Sequence, residues 1–261
     1  MRTDDEQEAV GVRSVLVTGA ASGIGAAVAR HYGRAPGGLG AGVLVADVDV
    51  AGGEAVAAEV GGRFVRTDVS CEDDNTAAVR AAVEEFGGLD LVHLNAGVGD
   101  GGGFGDDDYR PEQLRRVVSV NLLGVMYGLR AALPALAAHG GGAVVVTSSM
   151  AGLALADFDP VYAATKHAVI GLVRSLAPVW EKAGVRINAV CPGFVSTPIL
   201  PAEAVEYIRS AGYALAEPAE IAAMVAEVVA GGDTGRAYLA QHGRGPEPVA
   251  FPKLELVRAD E

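Results

Sequence analysis

Short apolar runs rich in β-branched residues alternate with longer alanine-rich stretches along most of the chain. An apolar run of this length suits a strand buried on both faces, and an apolar period near 3.6 suits a helix. The runs predict strands at residues 14–18, 43–47, 63–68, 89–95, 143–148, 186–190 and 236–240. The stretches between them predict helices at residues 23–34, 51–60, 72–86, 111–139, 161–183 and 218–230.

This alternation predicts one α/β domain, a Rossmann-type doubly wound parallel sheet with helices on both faces. No linker or internal repeat divides residues 11–261, so we expect them to form a single dinucleotide-binding and catalytic domain. Residues 1–10 are polar and acidic, which predicts a disordered tail rather than a signal peptide. The Gly/Asp-rich residues 99–108 predict an exposed loop, and their acidic triplet is a weak candidate for a cation site.

Charge and cysteine content exclude several classes of protein. The formal net charge of −13 disfavours nucleic acid and anionic membrane surfaces as partners. Cys71 and Cys191 are too few for a disulfide framework and lack metal-ligand spacing, so we expect no metal site and a cytoplasmic location. No uninterrupted apolar run approaches the length of a membrane span.

The segment TGAASGIG, residues 18–25, joins the first predicted strand to the first helix. Gly19 permits the sharp turn, Gly23 lets the backbone approach a pyrophosphate, and Gly25 allows helix and strand to pack closely. The helix N-terminus, which includes Ser22 and Ile24, would present unpaired N–H groups to the phosphates. In this strand–turn–helix context the segment predicts a dinucleotide site.

Asp47 closes the second predicted strand, where a carboxylate can accept hydrogen bonds from the adenosine ribose hydroxyls and repel a 2′-phosphate. The neighbouring positions that would favour NADP if basic are Ala21, Ser22 and Val48, and none of them is basic. Asp47 therefore predicts NAD as the cofactor, although a strand-end aspartate that caps the next helix remains the alternative. Asp68 is a weaker candidate for a contact with the adenine ring.

The segment YAATK places Tyr162 and Lys166 four residues apart, on one face of a predicted helix. A nearby ammonium group favours the phenolate, so this pair predicts a general base whose pKa is lowered by the lysine. Ser149 at an upstream strand end and Asn121 in SVNLLG strengthen the interpretation. Ser148 is the alternative to Ser149.

Together these residues resemble the short-chain dehydrogenase/reductase family, and the order of motifs matches over essentially the whole chain. The resemblance implies a catalytic tetrad of Asn121, Ser149, Tyr162 and Lys166 and a small alcohol or ketone substrate. It also implies that the tyrosine and lysine help to hold NAD, with further contacts at the motif NAGV, residues 95–98, and at PGFVSTP, residues 192–198. The other implied cofactor contacts are Asp68, Val69, Asn95, Pro192, Val195 and Thr197.

Within the family, residues 160–175 and 184–200 are most similar to NAD-dependent, 15-hydroxyprostaglandin dehydrogenase-like members. Those members carry a substrate-contacting glutamine where this chain has Asp159, so we carry over their chemistry and not their substrate. Leu94 also replaces the first asparagine of the usual Asn-Asn-Ala-Gly. A C-terminus without Val-Asp-Gly-Gly favours a homodimer over a tetramer.

The expected reaction moves a hydride between a secondary alcohol and NAD while Tyr162 takes or returns the hydroxyl proton. We expect residues 199–214 to form a lid over an apolar pocket, because they include Tyr207, Ile208 and Tyr213. Two alternatives remain open. One is an NADPH-dependent ketoreductase acting on 3-oxoacyl or polyketide substrates, and the other is a catalytically inactive dinucleotide-binding sensor.

Overall fold

The computed structural model describes residues 11–99, 104, 109–156 and 159–252. Its eight-stranded sheet has the order β3-β2-β1-β4-β5-β6-β7-β8. The first seven strands run parallel and β8 is antiparallel to β7. The bounds are β1 Ser14–Thr18, β2 Gly42–Asp47, β3 Arg63–Arg66, β4 Leu91–Leu94, β5 Gly142–Thr147, β6 Val185–Pro192, β7 Ala237–Ala240 and β8 Glu247–Pro248. The predicted fold class is confirmed.

Helices cover both faces of the sheet. Helices α1, α2 and α8 pack on one face, and α3, α5 and α6 pack on the other. Alternate residues of each buried strand point to opposite faces of the sheet, and helices cover both faces. Most residues of the buried strands are therefore apolar, which gives continuous apolar runs in the sequence. The bounds are α1 Gly23–Tyr32, α2 Val50–Val60, α3 Glu72–Phe86, α4 Pro111–Val118, α5 Gly124–Ala138, α6 Pro160–Trp180, α7 Ala202–Ser210 and α8 Pro218–Ala230.

The order of strands reverses between β1 and β4, which are neighbours in the sheet. In a doubly wound sheet the crevice for a ligand opens at this point, beyond the carboxyl ends of the strands. Here those ends are Thr18 and Leu94, followed directly by the glycine-rich turn and by Asn95. The fold therefore brings the two sequence motifs to one edge of the sheet.

The predicted helix at residues 111–139 is not regular throughout. A π-helical turn at Ser119–Leu123 separates α4 from α5. By length and composition alone the continuous helix Pro111–Ala138 could cross a membrane, although it contains no uninterrupted apolar run of that length. Of its most apolar 18-residue window, 44% is buried inside the protein. It is a core helix that packs on the sheet and on α3.

Some element ends differ from the prediction for local reasons. Strand β3 stops at Arg66, not at Asp68, because the Asp68 N–H is bonded to the side chain of Asp74 instead of to a strand. Strand β6 continues to Pro192 because its last residues pair with β7. Helix α7 within the predicted lid and the two-residue strand β8 were not predicted as elements.

Each outer strand of the sheet is short. Strand β3 has an exposed arginine at each end, Arg63 and Arg66. At the other edge, β8 covers β7 and contains Pro248. The chain then continues along α6, where the Phe251 ring lies 3.9 Å from the Arg174 guanidinium. The predicted N-terminal tail and residues 100–103 and 105–108 of the predicted loop lie outside the described residues.

Candidate functional site

The glycine-rich turn has the geometry that the sequence predicts. Gly19 and Gly23 have φ of 64° and 54°, a region that residues with a side chain rarely adopt. A Cβ atom at Gly25 would lie 2.2 Å from the Gly19 carbonyl oxygen, so only glycine allows this packing. Ser22 precedes the first residue of α1 but makes no side-chain capping hydrogen bond, which leaves the first N–H groups of the helix available to an anion.

Asn95 ties this turn to the centre of the sheet. Its side-chain amide donates to the carbonyl oxygens of Thr18 and Gly19, both at 3.2 Å. Its side-chain oxygen accepts a hydrogen bond of 3.1 Å from the Thr147 hydroxyl. In the structure Asn95 therefore positions the turn from beneath, a role that the sequence motif alone did not specify.

His93 lies below this network and is fully buried. Because the Thr147 hydroxyl donates to Asn95, His93 Nε2 carries the proton and donates to Thr147 Oγ1 at 2.8 Å. Burial lowers the pKa of His93 to about 3, so the ring is neutral. Its Nδ1 has no hydrogen-bond partner among the described residues. His93 is a core histidine and does not reach the cleft.

Asp47 is held by two main-chain N–H groups at the end of β2. Oδ2 accepts from Ala21 at 2.9 Å, and Oδ1 accepts from Asp49 at 3.0 Å. Helix α2 is capped instead by Asp49, whose carboxylate accepts from Gly52, so the capping alternative for Asp47 is wrong. Arg66 is in register with Asp47 on β3, but its guanidinium lies 3.6 Å from Asp74.

Asp68 and Val69 follow β3 on the same side of the cleft. Asp68 Oδ1 accepts hydrogen bonds from the N–H and the hydroxyl of Ser70, so this carboxylate oxygen is used within the local turn. Val69 is buried, and its carbonyl oxygen accepts from the Asn75 side chain at 2.8 Å. Val69 also packs closely against Gly124. A Cβ atom on Gly124 would lie 3.0 Å from Val69 Cγ2, which is too close for an ordinary contact. Both residues therefore have contacts within the protomer beyond the carboxyl end of β3.

Asn121 occupies the middle of the π-helical turn and is fully buried. Its side chain pairs with the main chain of Val98 in both directions, each hydrogen bond measuring 2.8 Å. This pairing fixes the loop that follows Asn95. The side-chain oxygen and nitrogen of Asn121 are both used in this pairing. Any role of Asn121 in proton transfer would therefore involve its main chain. A π-turn in a helix frequently accompanies a functional site.

Tyr162 projects from the first turn of α6 toward Ser149, at the end of β5. The Ser149 hydroxyl lies close enough to the phenol to influence its pKa. Ser149 Oγ already accepts the Ala151 N–H at 3.0 Å, so its own proton is free to point at the Tyr162 oxygen. Burial is the main influence on the phenol and raises its pKa, the hydrogen bond from Ser149 opposes that effect, and the negative charge of Asp159 adds to it.

Lys166 lies one turn further along α6 and is almost fully buried. Its Nζ donates to the Thr147 carbonyl oxygen at 2.9 Å and lies 5.4 Å from the centre of the Tyr162 ring. Burial lowers the pKa of Lys166 to about 8. The sequence predicted that the lysine lowers the tyrosine pKa. In the protein alone, burial gives Tyr162 a net raised pKa, and the lowering by Lys166 stays a prediction.

Ser148 is directed away from the cleft. Its hydroxyl donates to the Lys166 carbonyl oxygen at 2.9 Å and fixes α6 against the end of β5. The buried Cys191 thiol lies beside Ser148, and burial raises its pKa to about 12. A Cβ at Gly152 would lie 2.7 Å from Ser148 Oγ, so this cluster requires glycine there. Ser149, not Ser148, faces Tyr162.

The segment after β6 completes the edge of the cleft. Pro192 ends β6, and Val195 forms an isolated bridge with Ala216. Thr197 contacts the glycine-rich turn, since a Cβ at Gly23 would lie 3.1 Å from its Cγ2. An open depression of ≈ 800 Å³ is lined by α7 alone, and an apolar cleft of ≈ 370 Å³ lies between α4 and the start of α6. Neither is lined by Tyr162, Ser149 or Lys166. Among the described residues no group of three His, Cys, Asp or Glu side chains could hold a metal ion.

Most of the sequence-predicted site residues are thus brought to one edge of the sheet. Sequence reasoning missed the supporting residues, of which Thr18, Thr147 and Thr165 have hydroxyl groups bonded within the network. A threonine at the end of each of two predicted strands was the available signal. It also missed that Asp159 caps α6, with Oδ1 accepting from Tyr162 N at 3.0 Å.

The parallel sheet, the glycine-rich turn at its switch point and the pair of a partly buried tyrosine and a buried lysine define a dinucleotide-binding oxidoreductase fold. The model of the short chain dehydrogenase family matches residues 13–206, and the chain belongs to that family.

Relatives with established names support this assignment. The chain is 36% identical over 218 residues to cyclohexanol dehydrogenase of Acinetobacter sp. (strain SE19), covering 81% of this chain and 85% of that protein. It is 38% identical over 212 residues to 3-alpha-(or 20-beta)-hydroxysteroid dehydrogenase of Mycobacterium tuberculosis, covering 80% and 79%. The protein is accordingly an oxidoreductase that acts on CH–OH groups. The likeness to prostaglandin dehydrogenases stays a prediction.

A solved structure shows the same architecture. The crystal structure of 3-ketoacyl-(acyl-carrier-protein) reductase from Brucella melitensis, complexed with NADH, superimposes with a TM-score of 0.78 at 32% identity. The match covers 89% of this chain and 98% of that one. The shared fold therefore extends well beyond the glycine-rich turn and the tyrosine–lysine pair.

Proposed function

We propose that this protein is an NAD-dependent dehydrogenase of apolar secondary alcohols, with Tyr162 as the general base in oxidation and the general acid in reduction. The observation that carries the proposal is the arrangement of Tyr162, Ser149 and Lys166 beside the glycine-rich turn. A hydroxyl donor, a phenol and a buried ammonium meet at the point where the fold binds a dinucleotide.

Each side chain has a defined part in the proton chemistry. Tyr162 accepts the hydroxyl proton of the alcohol, and Ser149 donates a hydrogen bond to the oxygen of the forming carbonyl. Lys166, with a pKa of about 8, is largely protonated at neutral pH and stabilises the phenolate electrostatically. When bound, a nicotinamide dinucleotide supplies the hydride acceptor.

The glycine-rich turn and the N-terminus of α1 fit the pyrophosphate of such a cofactor, because the cradle has no room for a Cβ at Gly25 and leaves N–H groups exposed. Asp47 supports NAD over NADP. Its carboxylate is oriented by main-chain N–H groups, and no ion pair neutralises it among the described residues. Asn95, Asp68, Val69, Pro192, Val195 and Thr197 would line the remainder of the cofactor site.

The mouth of the cleft suits an apolar, ring-shaped alcohol. Leu155 is 91% exposed and Tyr207 on α7 is 70% exposed. The Phe194 and Tyr213 rings lie 5.8 Å apart beside the segment that follows β6. Exposed apolar groups around a cleft often mark a ligand site, and two relatives are named for cyclohexanol and for hydroxysteroids, alcohols whose hydroxyl group lies on or beside a carbon ring.

We also propose a cytoplasmic homodimer formed through α5 and α6. Of the small and apolar residues on these two helices, Gly124, Gly128, Ala132, Val169 and Val173 pack inside the protomer and are not available to a partner. The outer face of α6 instead carries small exposed residues at helical spacing, which would let a second copy approach closely. They are Ala164, Ala168, Gly171 and Ser175.

The deciding experiment is a panel of secondary alcohols with NAD and NADP, followed by the absorbance of the reduced cofactor. We expect ring alcohols to be oxidised with NAD. Reduction of 3-oxoacyl substrates with NADPH alone would replace the proposal by the ketoreductase alternative. A protein that binds NAD but turns over no alcohol or ketone would be a dinucleotide-binding sensor.

A further inference from the structure

His93 is a fully buried polar side chain in the centre of the sheet, on β4. It is in register with Val145 on β5, on the face that packs against α1 and α8. Thr147 follows two residues later on β5, so its side chain lies on the same face of the sheet. The imidazole therefore reaches along β5, and its Nε2 lies 2.8 Å from Thr147 Oγ1.

The hydrogen bonds that continue from His93 have one direction. Thr147 Oγ1 accepts from His93 Nε2 and donates to Asn95 Oδ1 at 3.1 Å. The reverse direction would place the imidazole proton on Nδ1, which has no hydrogen-bond partner in the part of the chain that the structure describes. It would also take the Thr147 proton away from Asn95 Oδ1. Both losses are unfavourable in the core, so the series of donors starts at His93 and runs outward.

This series of hydrogen bonds ends at the glycine-rich turn. The Asn95 side-chain amide donates to the carbonyl oxygens of Thr18 and Gly19, both at 3.2 Å. A hydroxyl that accepts a hydrogen bond becomes a stronger donor, because consecutive hydrogen bonds polarise one another. By donating to Thr147, His93 therefore strengthens the contact between Asn95 and the turn, although the imidazole does not touch the turn itself.

Lys166 depends on Thr147 in a different way. Its Nζ donates to the main-chain carbonyl oxygen of Thr147 and not to the hydroxyl. The main chain of Thr147 is held by the pairing of β5 with β6, where it is in register with Val190. Loss of the side-chain hydrogen bonds of Thr147 should therefore disturb the glycine-rich turn and leave Lys166 in place.

We propose that His93 is a positioning residue that acts through Thr147 and Asn95 to hold the glycine-rich turn in the shape that binds the cofactor. The proposal rests on the proposed function, because it takes this turn to bind the pyrophosphate of NAD. His93 contacts neither the reacting groups nor the turn. Removal of its hydrogen-bond donor should therefore weaken cofactor binding more than it slows the chemical step.

Calorimetric titration with NAD tests the proposal. His93→Leu replaces the imidazole by an apolar group of similar size, so the Kd for NAD should rise about fivefold, while kcat at saturating NAD should fall by less than about twofold. Thr147→Val interrupts the same series of hydrogen bonds, so its addition to His93→Leu should raise the Kd little further. His93→Gln, whose side-chain amide can donate from near the position of Nε2, should recover most of the affinity.

The matched control for a general loss of stability is Asn188→Leu. Asn188 is buried on β6, two strands away from β4, and its side chain bonds to the main chain of Asp233 and Arg236. Its replacement should lower the free energy of unfolding and leave the Kd for NAD unchanged. If His93→Leu binds NAD as tightly as Asn188→Leu does, or if His93→Gln binds it no better than His93→Leu, the proposal is overturned.

Amide hydrogen exchange without added cofactor gives a second measurement. The N–H groups of Asn95 and Ala21 are hydrogen-bonded beside the turn, to Thr18 Oγ1 and to the Asp47 carboxylate. They should exchange faster in His93→Leu than in Asn188→Leu. Equal exchange in the two variants overturns the proposal whether or not NAD binds. Wild-type protein that binds no NAD would count against the proposed function, and the exchange rates would still decide whether His93 holds the turn.

Discussion

The Lys166 ammonium group donates a 2.9 Å hydrogen bond to the carbonyl oxygen of Thr147, the last residue of β5. This contact holds the lysine under the Tyr162 ring and connects it to the central strands. It also buries a charge that water would otherwise solvate, which is why the pKa of Lys166 falls to about 8. The buried charge that we propose serves catalysis therefore lowers the stability of the folded protein.

Replacing Lys166 should have opposite effects on turnover and on the free energy of unfolding. Lys166→Met should abolish most turnover yet raise the free energy of unfolding at pH 7 by about 1–3 kcal/mol, since no buried charge remains. Denaturant unfolding followed by circular dichroism gives the value. A variant less stable than wild type would show that the hydrogen bond to Thr147 outweighs the desolvation of the ammonium group.

The pH dependence of stability gives a second view of the same residue. The folded pKa of about 8 lies below the unfolded value of 10.5, so the unfolded chain binds more protons between these pH values. The contribution of Lys166 to stability must then rise from pH 8 to pH 10.5. Because the raised pKa of Tyr162 acts in the opposite direction at high pH, the difference between wild type and Lys166→Met is the quantity to measure. If the free energy of unfolding varies with pH in the same way in wild type and in Lys166→Met, the lowered pKa of Lys166 is contradicted.

Tyr162→Phe should separate chemistry from binding. The substitution removes the proton acceptor but keeps the ring, so we expect kcat to fall at least about 100-fold and the Kd for NAD to change little. Calorimetric titration with NAD and single-turnover kinetics supply the two numbers. Near-normal turnover would show that another group is the base.

Asp47 should determine the choice of cofactor. We expect kcat/KM with NAD to exceed that with NADP at least about tenfold, equivalent to about 1.4 kcal/mol, because the carboxylate repels a 2′-phosphate. Asp47→Ala combined with Ser22→Arg should reduce the preference. Arg66→Gln is the control, since that guanidinium lies near Asp74. Equal constants for both cofactors in wild type would refute the assignment.

Gly152→Ala tests the packing beneath Lys166. The added Cβ would lie 2.8 Å from the main-chain carbonyl of Lys166, so the start of α6 must shift. We expect a loss of about 1–3 kcal/mol in stability and a larger loss in kcat/KM than stability alone explains. Gly231→Ala, at a conformation open to alanine with φ of −68°, should change neither by much. Full activity in Gly152→Ala would mean that α6 tolerates displacement.

Ala168→Glu tests the homodimer. A charge on the small-residue face of α6 should be tolerated by a monomer, since Ala168 is exposed, but should prevent close packing of two copies. Light scattering after size exclusion should give twice the chain mass for wild type and the chain mass for the variant. A wild-type mass near one chain defeats the dimer, and a mass near four shows a tetramer.

Local motifs made much of this site predictable. The turn at residues 18–25, Asp47 and the Tyr162–Lys166 pair depend on residues close in sequence, and the order of strands brings them together. The π-turn at Asn121 was not predictable, because it accompanies a pairing with Val98, 23 residues away. The net upward shift of the Tyr162 pKa was not predictable, because burial depends on packing that the spacing of two residues does not report.

The short outer strands have a consequence for the behaviour of the protein in concentrated solution. An exposed strand offers unpaired N–H and C=O groups to any other chain, which is a route to aggregation. Here β3 is only four residues long and is flanked by charged arginines, while β8 ends in Pro248, which cannot donate a hydrogen bond. Pro248→Val with Arg63→Val should therefore lower solubility and promote fibrillar association without altering the cleft.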